Sequence, residues 1–176
     1  MSASAPRTVV FVVGNRSRGD DALGPLLAER LESLGAPGVS LICDHQLQIE
    51  HALDMAGAQR VLFVDAAQGL AADVELRALA PEPGRAPFSH ALTPTALLAV
   101  YRQVHGRPPP PAWVLAVAGE SFALGAGLSA RAAAAAEQAW AVLQALFEHP
   151  AADWADAAAL MQCRAGERTA PNRPQD

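Results

Sequence analysis

Cysteine is scarce in this chain, whose 176 residues include only two, Cys43 and Cys163. They lie far apart and form neither a Cys-x-x-Cys pair nor another metal-ligand spacing, so a zinc ribbon or redox motif is not supported. A protein with so few cysteines is typically a reduced one, so we expect a cytoplasmic location. The first residues also lack the apolar core of a signal peptide, which favours the same location.

Positive charge and long apolar runs are lacking too. The chain has 13 Lys and Arg against 18 Asp and Glu, a net charge of −5, so no nucleic-acid partner is expected, since such a partner usually requires a basic face. Charge, Pro or Gly interrupts every long apolar stretch, so we expect no membrane span. Neither Gly-x-Gly-x-x-Gly nor a Walker motif is present, and Ser121 lacks the Gly-x-Ser-x-Gly of many serine hydrolases.

The chain does contain apolar runs that alternate with amphipathic segments. Hydrophobic residues make up 51% of it, enough for one domain with a sizeable core. The predicted strands are residues 8–13, 39–43, 60–65, 74–79 and 113–118, and the predicted helices are residues 21–34, 49–55, 95–104 and 129–147. Strands that alternate with helices predict an α/β fold, a three-layer αβα sandwich with a mostly parallel sheet.

Local signals refine this prediction. Residues 74–79 alternate apolar and polar, which is typical of a half-exposed edge strand. Gly35 should end the first helix, and Thr93 followed by Pro94 should begin the third. We expect a single domain over residues 1–148 and a C-terminal tail over 149–176, partly disordered, with one weak helical turn around 154–161.

Acidic and imidazole side chains follow the predicted strands. The first strand breaks at Gly14-Asn15, and Asp20 and Asp21 stand where the next helix begins. Asp65 ends the third strand, and His90 precedes the third helix. Because ligands bind beyond the carboxyl ends of strands in open α/β sheets, we expect Asp21, Asp65 and His90 to converge there.

Two carboxylates and one imidazole form a mixed oxygen and nitrogen site. Such a set suits a divalent first-row metal with open coordination positions, and it could equally act as general acid and base without metal. Plainer roles exist for each residue: Asp65 as a turn residue and His90 as a structural histidine. Of the two adjacent acids, we expect Asp20 to cap the helix and Asp21 to point into the cleft.

Motifs in this order resemble those of the endopeptidases that mature nickel–iron hydrogenases. Gly14-Asn15 followed by Asp20-Asp21-Ala22-Leu23-Gly24 is similar to that family's Gly-Asn-x4-Asp-[Asp/Glu]-x-x-Gly signature. The remaining similar segments are Val61-Leu-Phe-Val-Asp-Ala66, Ser89-His90, Gly119-Glu120-Ser121 and Gly127-Leu128-Ser129. The resemblance spans about residues 8 to 148 and implies a three-layer sandwich around a five-stranded sheet.

The resemblance also implies an activity, namely removal of a C-terminal extension from the hydrogenase large-subunit precursor after nickel insertion. Asp21, Asp65 and His90 take the positions of the family's three metal-contacting residues. The nickel that they contact is carried by the substrate precursor, so no tightly bound cofactor of the protein's own is expected. Hydrolysis, of aspartic type, would use either a carboxylate as base or the metal to polarise water or the carbonyl.

The sequence departs from the family pattern at two places. Val12 stands where the family usually has a glycine, which changes only packing. The second turn reads Asp44-His-Gln-Leu-Gln-Ile-Glu50 instead of a glycine-rich segment with a threonine, and it should border the cleft, which indicates a different specificity class. Two alternatives stay open: a non-catalytic module that docks on the nickel-loaded precursor, and an unrelated hydrolase that acts without nickel.

Overall fold

Five strands form one sheet in the computed structural model, which describes residues 7–84, 92–148, 153–159 and 161. The strands are β1 (Thr8–Val13), β2 (Val39–Asp44), β3 (Arg60–Gln68), β4 (Val74–Leu79) and β5 (Ala112–Gly119). Their order across the sheet is β2-β1-β3-β5-β4. All neighbours are parallel except β4, which runs antiparallel to β5 at the edge. The α/β fold class, the mostly parallel sheet and the edge position of residues 74–79 are confirmed.

Helices cover both faces of the sheet. They are α1 (Leu23–Leu34), α2 (His51–Asp54), α3 (Pro94–His105), α4 (Ala130–Glu148) and α5 (residues 154–159), and a 3-10 turn, Gly19–Ala22, precedes α1. β1 is an almost continuous valine-rich run because both of its faces are buried. Val10 and Val12 pack with α1 and α4, whereas Val9 and Phe11 pack with α2 and α3. These are the three predicted layers.

Helix ends follow the local signals in the sequence. Gly35 ends α1 in the left-handed conformation with φ of 62°. Thr93 caps α3 by accepting a hydrogen bond from Ala96 N–H at 3.1 Å, and Pro94 is the first helical residue. Two predicted lengths were wrong. α2 is shorter than predicted, and β3 continues to Gln68 because it goes on pairing with β5 after its pairing with β1 ends.

The C-terminal segment contributes to the core. Trp154, the first residue of α5, is only 1% exposed and packs edge-on against Trp113 and Phe147. The Arg60 guanidinium lies 4.1 Å from the centre of its ring. The helical turn predicted around residues 154–161 is therefore present at 154–159, whereas the division of the chain at residue 148 stays a prediction. None of the described helices is long and apolar enough to cross a membrane.

Candidate active site

The candidate site lies at the carboxyl end of β1. The carboxyl end of β2 is on one side of it, and the middle of β3 is on the other. Val13, the last residue of β1, is in register with Asp44 of β2. On the other side, Val12 is in register with Val64, so Asp65 lies just beyond the last β1 pair. β3 continues past this point, where Asp65 pairs with Ala116 of β5. The sheet thus places Asp65 beside the turn that follows β1.

Asp21 is held in that turn by Asn15. The Asn15 N–H donates to the Asp21 carbonyl oxygen at 3.1 Å and to Asp21 Oδ2 at 3.0 Å. Gly14 makes this closeness possible, because a Cβ at its position would overlap the Asp21 carbonyl oxygen. Its φ of 152° also lies in a region that side chains disfavour. Gly14 and Asn15 therefore form the turn predicted from the sequence and fix a half-buried Asp21 carboxylate at the rim.

Asp65 titrates near neutrality. Burial raises the pKa of Asp65, the negative charge of Asp21 raises it further, and a hydrogen bond from Ala66 N–H lowers it, with a result of about 7. Asp21 therefore lies within electrostatic range of Asp65. A carboxyl that is about half protonated at neutral pH can either take up or release a proton there. The arrangement therefore suits general acid–base chemistry.

His90 lies outside the described residues, so its place beside the two carboxylates stays a prediction. The first described residue after it is Leu92, which bridges to Leu47 on the loop that follows β2. Leu92 N–H donates to the Leu47 carbonyl at 3.4 Å. The chain that carries His90 two residues earlier thus re-enters the described fold beside the carboxyl end of β2. Within the described part of the chain, no group of three His, Cys, Asp or Glu could hold a metal ion.

Asp20 does not cap α1, so this prediction was wrong. Its carboxylate is fully buried and accepts hydrogen bonds from Glu120 N–H (2.7 Å), Ser121 N–H (3.0 Å) and Ser129 N–H (2.7 Å), and from Ser129 Oγ (2.8 Å). The 3-10 turn directs the side chain toward the β5–α4 loop, and α1 starts without a side-chain cap. Glu120 and Ser121 thus connect the β5–α4 loop to the turn that precedes α1.

The surroundings of Asp20 also determine its charge. Burial raises the pKa of Asp20, but the hydrogen bonds from Ser121, Glu120 and Ser129 together lower it by more, so the pKa lies below its ordinary value. Asp20 is therefore ionised at neutral pH, in contrast to Asp65. Ser129 in turn caps α4, because its Oγ accepts a hydrogen bond from Ala132 N–H at 3.1 Å.

A network on the β2–α2 loop was not found from the sequence. Asp44 accepts hydrogen bonds from His45 N–H at 2.6 Å and from the Gln48 side chain at 3.1 Å. His51 Nδ1 accepts from Gln48 N–H at 3.0 Å, so the ring proton is on Nε2, which lies 3.6 Å from Asp44. The one signal in the sequence was that Asp44 stands at the end of a predicted strand, as Asp65 does.

Comparisons with known proteins agree with the motifs. No protein-family model matches this chain, and no curated protein matches it. Among solved structures, it is similar to the NiFe hydrogenase maturation protease HycI from Thermococcus kodakarensis, with 25% identity, a TM-score of 0.62, and coverage of 84% of this chain and 95% of that chain. An endopeptidase from Escherichia coli is 26% identical with a TM-score of 0.58, over 81% of this chain and 93% of that one.

A further structure shows the same fold. The hydrogenase maturating endopeptidase HybD from E. coli is 24% identical to this chain, with a TM-score of 0.58, and the match covers 81% of this chain and 93% of that chain. The agreement extends over nearly the full length of each of these proteins. The resemblance to the hydrogenase maturation endopeptidases that the motifs predicted is therefore confirmed by solved structures.

Proposed function

We propose that this protein is an endopeptidase that removes the C-terminal extension from the large-subunit precursor of a nickel–iron hydrogenase during maturation. The observation that carries the proposal is the Asp21–Asp65 pair at the carboxyl rim of a fold similar to that of maturation proteases. We place the activity in the cytoplasm, as the cysteine content predicts. The hydrogenase precursor is the proposed protein partner.

Recognition of nickel is the proposed reason for the composition of the site. Asp21, Asp65 and His90 would bind the nickel ion that the precursor already holds, through two carboxylates and one imidazole. Three ligands from one side leave a coordination shell incomplete, so the free enzyme should bind nickel weakly. A precursor without nickel would then lack the contact that positions its peptide, and it would be spared.

Hydrolysis needs a base for the attacking water and a proton for the leaving amine. Asp65, with its pKa of about 7, supports a carboxylate as the group that exchanges these protons. The alternative is that the precursor's nickel polarises the water or the scissile carbonyl, while Asp21 and Asp65 serve as ligands. Both routes need Asp21 and Asp65 in place, so both predict the same loss when either carboxylate is neutralised.

The test is the intact mass of a purified large-subunit precursor, nickel-loaded or nickel-free, before and after incubation with the protein. We expect loss of one defined C-terminal peptide from the loaded form alone. Asp21→Asn, Asp65→Asn and His90→Ala should abolish the mass change while the proteins stay folded. Glu137→Gln is the matched control, because this surface carboxylate pairs with Arg30 between α1 and α4, away from the site.

Other outcomes would favour other functions. A stable complex with the loaded precursor and no mass change would indicate the non-catalytic docking module. Cleavage of both the loaded and the nickel-free precursor would show that the protein is a protease. It would also show that the three residues do not recognise nickel. Full activity of Asp65→Asn would contradict the proposed site itself.

A further inference from the structure

The strand β2 is an edge strand of the described sheet. It lies at the end of the sheet, and none of the described residues pairs with it except those of β1. The Gly38 carbonyl accepts from Thr8 N–H at 2.8 Å, and the Asp44 carbonyl accepts from Gly14 N–H at 3.1 Å. Since backbone groups of alternate residues point to the same side of a parallel strand, those of Leu41 and Cys43 face away from β1.

A cleft of about 580 Å³ runs along the same strand. Leu41 and Cys43 line it on the β2 side, and residues of α1, among them Ala28 and Glu32, line it on the other. Its lining also includes Gly14 and Asn15, and Asn15 N–H donates to the Asp21 carboxylate. The cleft and the edge of β2 therefore end beside the turn that holds Asp21.

The charge of the cleft restricts what can occupy it. Its lining holds Glu29, Glu32 and Asp44 against a single guanidinium, Arg16. Arg16 is already paired with Glu29 at 2.6 Å, which leaves the other carboxylates in excess. The negative charge also affects Cys43. Burial raises the pKa of the Cys43 thiol, Glu32 raises it further, and Arg16 lowers it by less. An occupant with acidic side chains facing the cleft would be repelled.

We propose that β2 docks the extended segment of the precursor next to the scissile bond, as an added strand that hydrogen-bonds to the backbone of Leu41 and Cys43. This inference rests on the proposed function, and it names the surface that holds the substrate. An unpaired sheet edge supplies backbone hydrogen bonds to any extended peptide, while the neighbouring cleft selects its side chains. The segment should carry no acidic side chain opposite Glu32.

The opposite edge of the sheet provides an internal control. β4 is also an edge strand, and the Asp73 carbonyl accepts from Ala118 N–H at 2.8 Å. The alternation of an antiparallel pair then turns the backbone of Ala78, in register with Trp113, away from β5. β3 and β5 separate this edge from β1. A peptide bound there would not lead to Asp21.

The experiment replaces one residue of each edge strand with proline, which removes its N–H. Edge strands tolerate proline where that N–H points away from the sheet. We expect Cys43→Pro to raise KM for the nickel-loaded precursor about tenfold, the loss expected for one hydrogen bond, with kcat unchanged. Cys43→Ser keeps the N–H and changes only a side chain that lines the cleft, so we expect it to raise KM less than Cys43→Pro does. Ala78→Pro, the matched control on β4, should leave KM unchanged as well.

Hydrogen exchange supplies a second measurement that needs no proline variant. Binding of the loaded precursor to the wild-type protein, measured before cleavage is complete, should slow exchange of the Leu41 and Cys43 amides and leave the outward amides of β4 unaffected. Cleavage with normal KM by Cys43→Pro, or no added protection of β2, would overturn the inference while the proposed function stands. If deleting residues 162–176 lowers KM, the chain's own C-terminal segment occupies the cleft, and the inference is wrong. Failure of the wild-type protein to cleave would overturn the proposed function instead.

Discussion

Asp20 and Asp21 are adjacent in the chain, yet their carboxylates have different surroundings. Asp20 is fully buried, and its carboxylate accepts hydrogen bonds from residues about a hundred positions away. Asp21 is half-buried at the rim and raises the pKa of Asp65. The fold thus assigns one acid to hold two loops together and the other to the candidate site.

Replacing Asp20 tests its role as a clamp between loops. Asp20→Ala leaves three backbone N–H groups without an acceptor, so we expect a loss of about 3–5 kcal/mol in the free energy of unfolding. Thr93→Ala removes a true helix cap and should cost only about 1 kcal/mol. Urea unfolding monitored by circular dichroism measures both variants. Equal small losses would mean that Asp20 acts as no more than a cap.

Asp65 makes stability depend on pH with a definite sign. Its pKa is about 7 in the folded protein against an ordinary value of 3.8, so between these values the folded state binds more protons than the unfolded state. Stability should therefore fall by on the order of 4 kcal/mol as pH rises from about 4 to 7, and then level off. Asp65→Asn should remove this dependence and exceed the wild-type stability at pH 8. Urea unfolding across that range checks it, and an unchanged slope would contradict it.

At the scale of elements, α1 and β1 approach each other unusually closely. Gly24, in the first turn of α1, is buried, and a Cβ at its position would overlap the Val13 carbonyl oxygen and press on Val12 Cγ1. The requirement is one of space, because this glycine has no positive φ. The glycine therefore sets how far α1, and the turn that carries Asp21, lies from the sheet.

Gly24→Ala should destabilise the protein even though alanine favours helices more than glycine does. The added methyl must displace backbone, so we expect a loss of about 1–3 kcal/mol in place of the roughly 1 kcal/mol gain in an open helix. Gly127→Ala is the control, since nothing lies within 4 Å of its added Cβ. Thermal unfolding of the two variants measures the difference. A stabilised Gly24→Ala protein would show that the space between α1 and the Val13 carbonyl does accommodate a methyl group.

At the scale of the whole molecule, two apolar clusters lie on opposite faces of the sheet and are completed from distant parts of the chain. α1, α4 and α5 cover one face, and α2 and α3 cover the other. α5 seals the first cluster through Trp154, which contacts Phe147 and Trp113. The segment after Glu148 is thus part of the packed molecule at least through this residue.

Trp154→Ala should uncover this part of the core. A fully buried tryptophan contributes about 3–5 kcal/mol, so we expect a loss of that size in the free energy of unfolding, with precursor cleavage retained at low temperature. Trp140→Ala is the matched control, because Trp140 is half-exposed beneath Arg30 and should cost less. Urea unfolding distinguishes the two. Similar small losses would mean that α5 does not contribute to the core.

The sequence by itself determined the elements whose signals are local. β1 and β4 have the predicted bounds, because burial on both faces requires a continuous apolar run and an edge strand requires alternation. Thr93, Pro94 and Gly35 determined helix ends through their own backbone chemistry. The positions of Asp21, Asp65 and His90 after predicted strands also predicted a site at one rim, and Asp21 is near enough to Asp65 to raise its pKa.

Only the tertiary structure decided which partners meet across long stretches of sequence. Asp20 resembled a helix cap because capping is a local pattern, whereas its acceptor role depends on a loop near Ser121. β3 runs past Asp65 because β5 continues to pair with it. The cleft beside β2 exists because α1 packs next to this edge strand. Such features arise from contacts between residues far apart in the chain, and no local propensity encodes them.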